Sequence, residues 1–268
     1  GDRGVFDTKI AFIAKHRTSS DIYTIDFDGT GLSKIMSNRS ISLALRWSPD
    51  GRMLSFTSYR EGNPDLYTYD LSRRTTRKIS AFDGINLGGG WSPDSRKLLL
   101  ALSKDGNEEI YVMDVGSRLM KRLTYNFSID VSGTWSPDGQ KIAFVSDRAG
   151  SPQIYVMDTD GNNVRRLTLE GRYNTSPSWS PRGKTIAFEG MVGGRYQIFT
   201  VDENGGNLKQ LTSERSDNES PSWSPDGRFI VFSSRGRGLF IINADGTNVR
   251  SLYSAGTSTS PCWSPHLK

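Results

Sequence analysis

The chain contains six copies of the tripeptide Trp-Ser-Pro at a nearly fixed interval. They start at Trp47, Trp91, Trp135, Trp179, Trp223 and Trp263, which are all the tryptophans of the 268-residue sequence. The intervals are 44, 44, 44, 44 and 40 residues, and apolar residues recur seven and nine positions after each of the first five tryptophans. An interval of 40–45 residues is the length of one four-stranded blade of a β-propeller. The spacing therefore predicts a repeat architecture.

Each repeat has the pattern of four short strands separated by tight turns. The runs are rich in β-branched and aromatic residues, as strands are. In one repeat they are residues 177–180, 185–188, 197–201 and 208–212. The segment 48–51 (Ser-Pro-Asp-Gly) has Pro and Gly where a type I turn prefers them. The segment 158–163 (Asp-Thr-Asp-Gly-Asn-Asn) is predicted to be a second hairpin connection.

The order of the strands predicts how the ring closes. The chain begins one strand late, at 9–12, and ends one strand late, at Trp263. Pairing of residues 261–264 with residues 10–13 would complete the first blade and leave only short, protected sheet edges. We therefore expect an all-β fold, a six-bladed β-propeller of four-stranded antiparallel blades whose first blade is completed by the C-terminal strand. Residues 1–268 are expected to form this single domain.

Composition agrees with such a domain and limits its partners. The hydrophobic content is 35%, the mean hydropathy is −0.52, and no apolar run is long enough for a membrane helix, so no membrane insertion is expected. The net charge of +5 permits nucleic-acid binding, but the cations are scattered by repeat rather than clustered, so no nucleic-acid partner is expected. The single cysteine, Cys262, lies on a predicted inner strand and is expected to be buried.

The sequence offers little catalytic chemistry. His16 and His266 are the only histidines, too few for a typical propeller metal centre, and no Gly-x-Ser-x-Gly motif is present. Residues 158–169 superficially resemble a calcium loop, but Asn163 stands at the sixth position and Leu169 at the twelfth, where Gly and Glu belong. No cofactor, no metal and no enzymatic activity are therefore expected.

The connections between strands differ on the two faces of the predicted disc. The turns after the first and third strands of each blade are nearly identical, and we call their side the constant face. The connections after the second and fourth strands form the other side, which we call the variable face. Its longer loops are residues 37–43, 81–88, 125–132, 169–176, 213–220 and 254–259. Because function usually lies on loops held by a rigid frame, the variable face is the predicted binding site.

The variable loops carry side chains that a turn does not require. The residues predicted to contact a partner there are Phe82, Ile85, Asn86, Tyr125, Phe127, Ile129, Tyr173, Asn174 and Glu219. The alternative is that some of the apolar side chains fold inward and cap the blades.

The shorter connections on the same face contain one cation in each blade. They are Arg17, Arg60, Lys104, Arg148, Arg195 and Arg235. Arg60, Arg148 and Arg235 are predicted to steer an acidic partner toward the face. The alternative is that each cation pairs with a carboxylate of a neighbouring blade.

The repeat unit, clearest over residues 135–168, resembles the WD40-like repeat of the TolB propeller family. Residues 8–12, 101–104, 110–114 and 261–265 look like the corresponding parts of that family. The resemblance implies a periplasmic, non-enzymatic protein of the Tol–Pal envelope system, whose propeller binds the peptidoglycan-associated lipoprotein Pal and, in some bacteria, colicins. In the family an α/β domain precedes the propeller, and a segment before it binds TolA. Neither is part of this sequence, so TolA binding is not expected of it.

Three hypotheses remain open. The first is a monomeric, periplasmic interaction module that binds Pal, with other Tol components or colicin-like ligands as further partners. The second is a TolB-like propeller that serves a different partner. The third is a hydrolase or lyase that uses the central channel, which the small number of histidines disfavours.

Overall fold

The computed structural model describes residues 4–267, whose regular elements are 24 β-strands in six four-stranded antiparallel sheets. This arrangement confirms the predicted six-bladed β-propeller. Residues 1–3 and 268 of the predicted domain lie outside the described residues. Within the described range no helix is long and apolar enough to cross a membrane.

Each blade contains four strands that follow one another from the channel to the rim. Blade 1 contains, from the channel outward, β24 (Thr257–Trp263), β1 (Lys9–Lys15), β2 (Ser20–Asp26) and β3 (Ser33–Asn38). Blade 2 contains β4 (Ser42–Trp47), β5 (Met53–Ser58), β6 (Asp65–Asp70) and β7 (Thr75–Ser80). Blade 3 contains β8 (Asn86–Trp91), β9 (Lys97–Leu102), β10 (Glu109–Asp114) and β11 (Met120–Arg122).

The remaining three blades have the same order. Blade 4 contains β12 (Asp130–Trp135), β13 (Lys141–Ser146), β14 (Gln153–Asp158) and β15 (Arg165–Arg166). Blade 5 contains β16 (Asn174–Trp179), β17 (Thr185–Val192), β18 (Arg195–Asp202) and β19 (Lys209–Gln210). Blade 6 contains β20 (Asn218–Trp223), β21 (Phe229–Ser234), β22 (Gly238–Asn243) and β23 (Arg250–Tyr253).

The two ends of the chain complete blade 1 together. Strand β24 pairs with β1 in antiparallel register, with Trp263 opposite Ile10 and Cys262 opposite Ala11. This pairing confirms the predicted closure. Cys262 is buried, as expected, and its Sγ accepts a hydrogen bond from the backbone N–H of Trp47 at 3.1 Å. This bond joins blade 1 to blade 2. Strand β24 is therefore bound both to β1 within its own blade and to the inner strand of blade 2.

The core consists of side chains packed between neighbouring blades. The largest fully buried ones are five phenylalanines, one from the second strand of every blade except blade 3. Each of the five packs on an aromatic ring of the adjoining strand, and the ring centroids are 5.5–5.9 Å apart. Blade 3 has Leu100 at this position. The repeated apolar positions of the sequence are therefore the positions that fill the space between blades.

The inner strands share a bulge that the sequence pattern does not predict. In β4, Leu43 pairs with Thr57 but Arg46 pairs with Ser55, so one extra residue is accommodated. The residue three positions before the tryptophan has a left-handed backbone in five blades. These residues are Ala44, Ser132, Ser176, Ser220 and Ser260, with φ between 50° and 57°. Ser and Ala have no marked preference for this conformation, so their identity gives no signal of the bulge.

Blade 3 replaces the left-handed residue with a run of three glycines, residues 88–90. A Cβ on Gly89 would lie 2.8 Å from the carbonyl oxygen of Gly133, which is closer than real side chains approach. Gly89 and Gly90 are therefore needed because β12 lies directly against this part of β8.

The constant-face turns form as predicted. The N–H of Gly51 donates to the carbonyl oxygen of Ser48 at 2.9 Å, and Gly51 has a φ of 72°. In the segment 158–163, the side-chain amides of Asn162 and Asn163 donate to Asp160 and Asp158 respectively, and Gly161 N–H donates to Asp158 O. These bonds close a hairpin turn, which confirms the hairpin interpretation of this segment.

Candidate partner-binding face

The exposed apolar side chains are concentrated on the variable face. Of the fifteen large hydrophobic residues that are exposed within residues 4–267, nine lie on connections of that face or at the end of the adjoining strand. They are Ile41, Tyr59, Phe82, Tyr125, Phe127, Ile129, Leu169, Tyr173 and Val192. Large hydrophobic side chains that point into water on one side of a protein mark a surface suited to a partner.

Most of the predicted apolar contact residues point outward. Phe127 is 104% exposed and Tyr125 73%, so the loop between β11 and β12 presents two rings to solvent. Phe82, Ile129 and Tyr173 are exposed to a smaller extent, and Ile85 is half-buried. The alternative, that these side chains fold inward, is wrong for the first five. Ile41, Tyr59, Leu169 and Val192 are exposed on this face too, and sequence reasoning missed them.

Asn86 and Asn174 are placed differently from the other predicted residues. They are 0% and 4% exposed, so their side chains are not available to a partner in this structure. Asn86 is hydrogen-bonded to the side chain of Ser80 and to both the N–H and the carbonyl oxygen of Phe82. We therefore correct the expectation for both asparagines: they hold the loops that carry the exposed residues.

A repeated sequence position could have revealed this role. The residue five positions before each tryptophan is polar and buried in all six blades. These residues are Ser42, Asn86, Asp130, Asn174, Asn218 and Ser258. A buried polar residue at a fixed phase indicates a repeated internal hydrogen bond, because buried polar groups are almost always paired.

In blades 4 to 6 these residues connect one blade to the next. The amide Nδ2 of Asn174 donates to Oε1 of Gln153 at 2.8 Å, and the hydroxyl of Thr168 donates to the same oxygen at 2.7 Å. Asn218 makes the same contact with Gln197 at 3.1 Å. Each such bond joins an inner strand to the third strand of the preceding blade. The inner strands at which these variable loops end are therefore held in place by hydrogen bonds to the preceding blade.

The predicted cations are of two kinds: some lie over aromatic rings of the protein, and Arg235 extends into solvent. Arg60 lies over the ring of Tyr67, with its guanidinium carbon 4.4 Å from the ring centroid, and Lys104 lies over Tyr111 at 5.0 Å. Arg148 lies over Tyr155 at 5.0 Å and forms an ion pair of 2.8 Å with the buried carboxylate of Asp130. Each of these cations therefore covers an aromatic ring on the third strand of its own blade.

Carboxylate partners in this set also come from the cation's own blade. Asp130 and Arg148 are both in blade 4, and Arg235 pairs with Asp217 and Glu219, which belong to blade 6 with it. The alternative prediction, that each cation pairs with a neighbouring blade, is therefore wrong for Arg148 and Arg235. The reason is that the second-strand hairpin and the start of the inner strand meet at the same corner of one blade.

Arg235 differs from the other cations because it extends into solvent. Its side chain is 67% exposed, while that of Glu219, 3.3 Å away, is 24% exposed. Burial and the nearby charge of Glu189 raise the pKa of Glu219. Tyr173 packs edge-on against Tyr196, with ring centroids 5.8 Å apart. Three predicted residues, Tyr173, Glu219 and Arg235, thus lie on the adjacent blades 5 and 6.

The histidines are separated by the thickness of the disc. His16 follows β1 on the variable face, and its Nε2 is 3.3 Å from Asp21. His266 follows β24 on the constant face, and its Nδ1 is 2.7 Å from Asp7. Within residues 4–267 no group of three or more His, Cys, Asp or Glu side chains is arranged to hold a metal ion.

The constant face also contains a concave feature that sequence reasoning missed. The Trp-Ser-Pro segments of all six repeats surround the end of the central channel and form a cavity of about 340 Å³. The tryptophans were identified as repeat markers, and the period alone gives no sign that they also enclose a shared space.

Comparison with known proteins identifies the family. The family described as "TolB beta propeller domain" matches residues 1–267. The Tol-Pal system protein TolB of Syntrophus aciditrophicus is 56% identical over 66 residues, which are 23% of this chain and 15% of that protein. The aligned segment of the TolB from Desulfosudis oleivorans is likewise only 14% of that relative's length, at 45% identity.

Solved structures extend the similarity to the whole propeller. The crystal structure of TolB from Acinetobacter baumannii superimposes with a TM-score of 0.88 at 34% identity, and the match covers 98% of this chain and 68% of that one. A putative TolB from Agrobacterium tumefaciens matches with a TM-score of 0.76 at 25% identity over 94% of this chain and 91% of that one. This chain belongs to the TolB β-propeller family.

Proposed function

We propose that this TolB-type propeller is a non-enzymatic, periplasmic interaction module of the Tol–Pal system that binds the globular domain of Pal through its variable face. The observation that carries the proposal is the concentration of exposed apolar side chains on that face, led by Phe127 and Tyr125. Two similar proteins are named as TolB proteins of the Tol-Pal system, and this supports a role of the present chain in that system.

The proposed interface has the composition of protein–protein contacts. Aromatic residues and arginine are enriched in such interfaces, and a few of them carry most of the binding energy. On the variable face the exposed aromatic side chains lie in the connections after β5, β7, β11 and β15, and the exposed Arg235 lies on the same face after β21. The apolar residues would supply the affinity, and the exposed charges would steer the approach.

The loops are suited to rigid docking. Asn86 and Asn174 fix the ends of two of them by buried hydrogen bonds. A preorganised surface loses little conformational entropy when a partner binds. We therefore expect the free and bound loops to have the same conformation.

Isothermal titration calorimetry with the Pal globular domain from the same organism tests the proposal. We expect saturable one-to-one binding that a variant with Phe127→Ala weakens. A matched control is Val164→Ala, because Val164 is an exposed apolar residue on the constant-face connection of blade 4. No heat at tens of micromolar protein, or equal losses from both variants, would contradict the proposed partner or face.

A further inference from the structure

The cavity on the constant face is almost free of charge. Its walls come from the six Trp-Ser-Pro segments and from residues one or two positions before the tryptophans. Indole and proline rings make much of this surface apolar. Among its lining residues one is ionised, the guanidinium of Arg46. No acidic side chain lines the cavity to compensate this charge.

Arg46 is held by the bulge of β4 and has few partners. Its Nη1 donates to the carbonyl oxygen of Leu45 at 2.8 Å. Within residues 4–267 no carboxylate oxygen forms an ion pair with it, and no second acceptor for its guanidinium is found. Arginine has five N–H donors in a planar fork, so most of its donor capacity is unused by the protein. Such a group is suited to bind an anion.

Hydroxyl groups lie around the cavity at the same level as Arg46. The residue directly before the tryptophan is Thr134 in blade 4, Ser178 in blade 5 and Ser222 in blade 6, and all three line the cavity. Blade 3 has Gly90 there, which leaves the adjacent wall without a side chain. The cavity therefore combines one cation, several hydroxyls and apolar walls.

We propose that this cavity binds a carboxylate carried on an aromatic or aliphatic group. The carboxylate would accept charge-assisted hydrogen bonds from Arg46, and the apolar group would pack against the tryptophan and proline rings. A guanidinium matches the geometry of a carboxylate, and its charge repels a metal cation. A volume of about 340 Å³ lies in the range of small-molecule sites. Two sources supply this chemistry, a free aryl or acyl carboxylate and the C-terminal residue of a polypeptide.

The site is independent of the proposed Pal-binding face, because it lies at the opposite end of the channel. Most of its prolines follow the inner strands on the constant face, for example Pro49 and Pro93. Occupation of the cavity and binding at the variable face can therefore be measured separately.

Intrinsic fluorescence is a direct readout, because all six tryptophans of the chain line the cavity. The probe is 3-phenylpropionate, with 3-phenylpropionamide as its uncharged analogue and sulfate as a plain anion. We expect a saturable fluorescence change with phenylpropionate, and binding at least tenfold weaker for the amide and for sulfate. Equal binding of the amide would show that the charge of the ligand does not contribute to binding. Equal binding of sulfate would show that the apolar walls do not contribute. Either result overturns the proposal.

Three variants test the assignment to Arg46. Arg46→Gln is expected to weaken phenylpropionate binding at least tenfold, whereas Arg46→Lys, which keeps the charge, should retain part of it. The matched control is Arg52→Gln, because Arg52 is an exposed arginine on the same face that does not line the cavity. Unchanged affinity of a folded Arg46→Gln protein, or absence of saturable binding in the natural protein, would overturn the proposal.

A pair of peptides distinguishes the two sources. Both end in phenylalanine, one with a free terminal carboxylate and the other amidated. Tighter binding of the free form than of phenylpropionate would support a polypeptide C-terminus, and binding of phenylpropionate alone would support a small carboxylate. Equal binding of both peptides would contradict recognition of the carboxylate.

Discussion

The indole Nε1 of Trp263 donates a hydrogen bond to the hydroxyl of Thr8 at 2.8 Å, and this bond joins the last repeat to the first strand. Trp263 is 5% exposed and packs on Phe27 and Phe229, with ring centroids 5.8 and 6.3 Å away. At the closure of the ring, the Trp263 side chain is thus in contact with both blade 1 and blade 6. Its removal has a graded series of expected effects.

Trp263→Ala is expected to lower the free energy of unfolding by about 3–5 kcal/mol, as large-to-small changes of buried aromatic residues do. Trp263→Phe keeps the ring and loses the bond to Thr8, so about 1 kcal/mol is expected. Deletion of residues 261–268 removes Trp263 and two of the five residue pairs between β24 and β1, and it should produce aggregation or a far lower melting temperature. Urea denaturation measures the two substitutions and thermal unfolding measures the deletion; an unchanged melting temperature after the deletion would show that blade 1 is completed in another way.

Asn174→Ala should destabilise the propeller by about 1–3 kcal/mol, because Gln153 loses a buried hydrogen-bond partner. The control is Asn162→Ala, an exposed turn position on the constant face, where a change within about 0.5 kcal/mol is expected. Thermal unfolding measures the difference. An Asn174→Ala protein with the same melting temperature and weaker Pal binding would instead support direct contact.

Truncation of the exposed rings should weaken Pal binding without loss of stability. Phe127→Ala and Tyr173→Ala are each expected to weaken binding by at least tenfold, since anchors of an interface contribute about 2 kcal/mol or more. Ile85→Ala, at a half-buried position, should weaken binding with a small loss of stability. Calorimetric titration gives the affinities. The opposite-face variants Asn162→Ala and Asn248→Ala should bind like the natural protein, and losses there would show that the face is wrongly assigned.

Arg148→Ala and Arg235→Ala should have different effects, although both arginines lie on the connection after the second strand of their blades. Arg148 neutralises Asp130, whose side chain is 0% exposed, so its removal leaves a buried carboxylate unpaired and should cost about 3 kcal/mol. Arg235 is 67% exposed, so its removal should leave the melting temperature unchanged and lower the association rate with Pal at low salt. Stopped-flow association at two salt concentrations and thermal melting separate these outcomes. Equal melting temperatures of the two variants would contradict the difference.

Two tyrosines predict loss of stability at alkaline pH. Burial and a hydrogen bond to Glu61 raise the pKa of Tyr67 to about 12, and burial with the nearby Tyr173 raises that of Tyr196 to about 12. Because the unfolded pKa is about 10, this contribution is fully present below pH 10 and is lost as pH rises toward 12. Urea denaturation across this range measures it. Tyr196→Phe should flatten the dependence, and an identical slope would show that Tyr196 does not contribute.

The period of Trp-Ser-Pro by itself determined the fold, the number of blades and the closure by the C-terminal strand. These features depend on a pattern of apolar residues and turn residues that recurs in the repeats. Ile142 and Gly139 are examples of the two kinds of position. The difference between near-identical and variable connections was also visible, and it indicated the face on which Phe127 is exposed. Local patterns of this kind are set by side-chain period and turn chemistry.

Only the tertiary structure decided which side chains of that face are available. Asn174 and Tyr173 are neighbours in sequence, yet one is buried against Gln153 and the other is exposed. Arg148 and Arg235 both follow the second strand of their blades, but the buried Asp130 beside Arg148 makes that arginine part of the interior. Whether a side chain is buried or paired depends on which residues of the neighbouring strands and blades lie next to it. The repeat period of the sequence does not reveal the distances between those residues. The cavity around Arg46 exists for the same reason, since it is enclosed by six segments far apart in the chain.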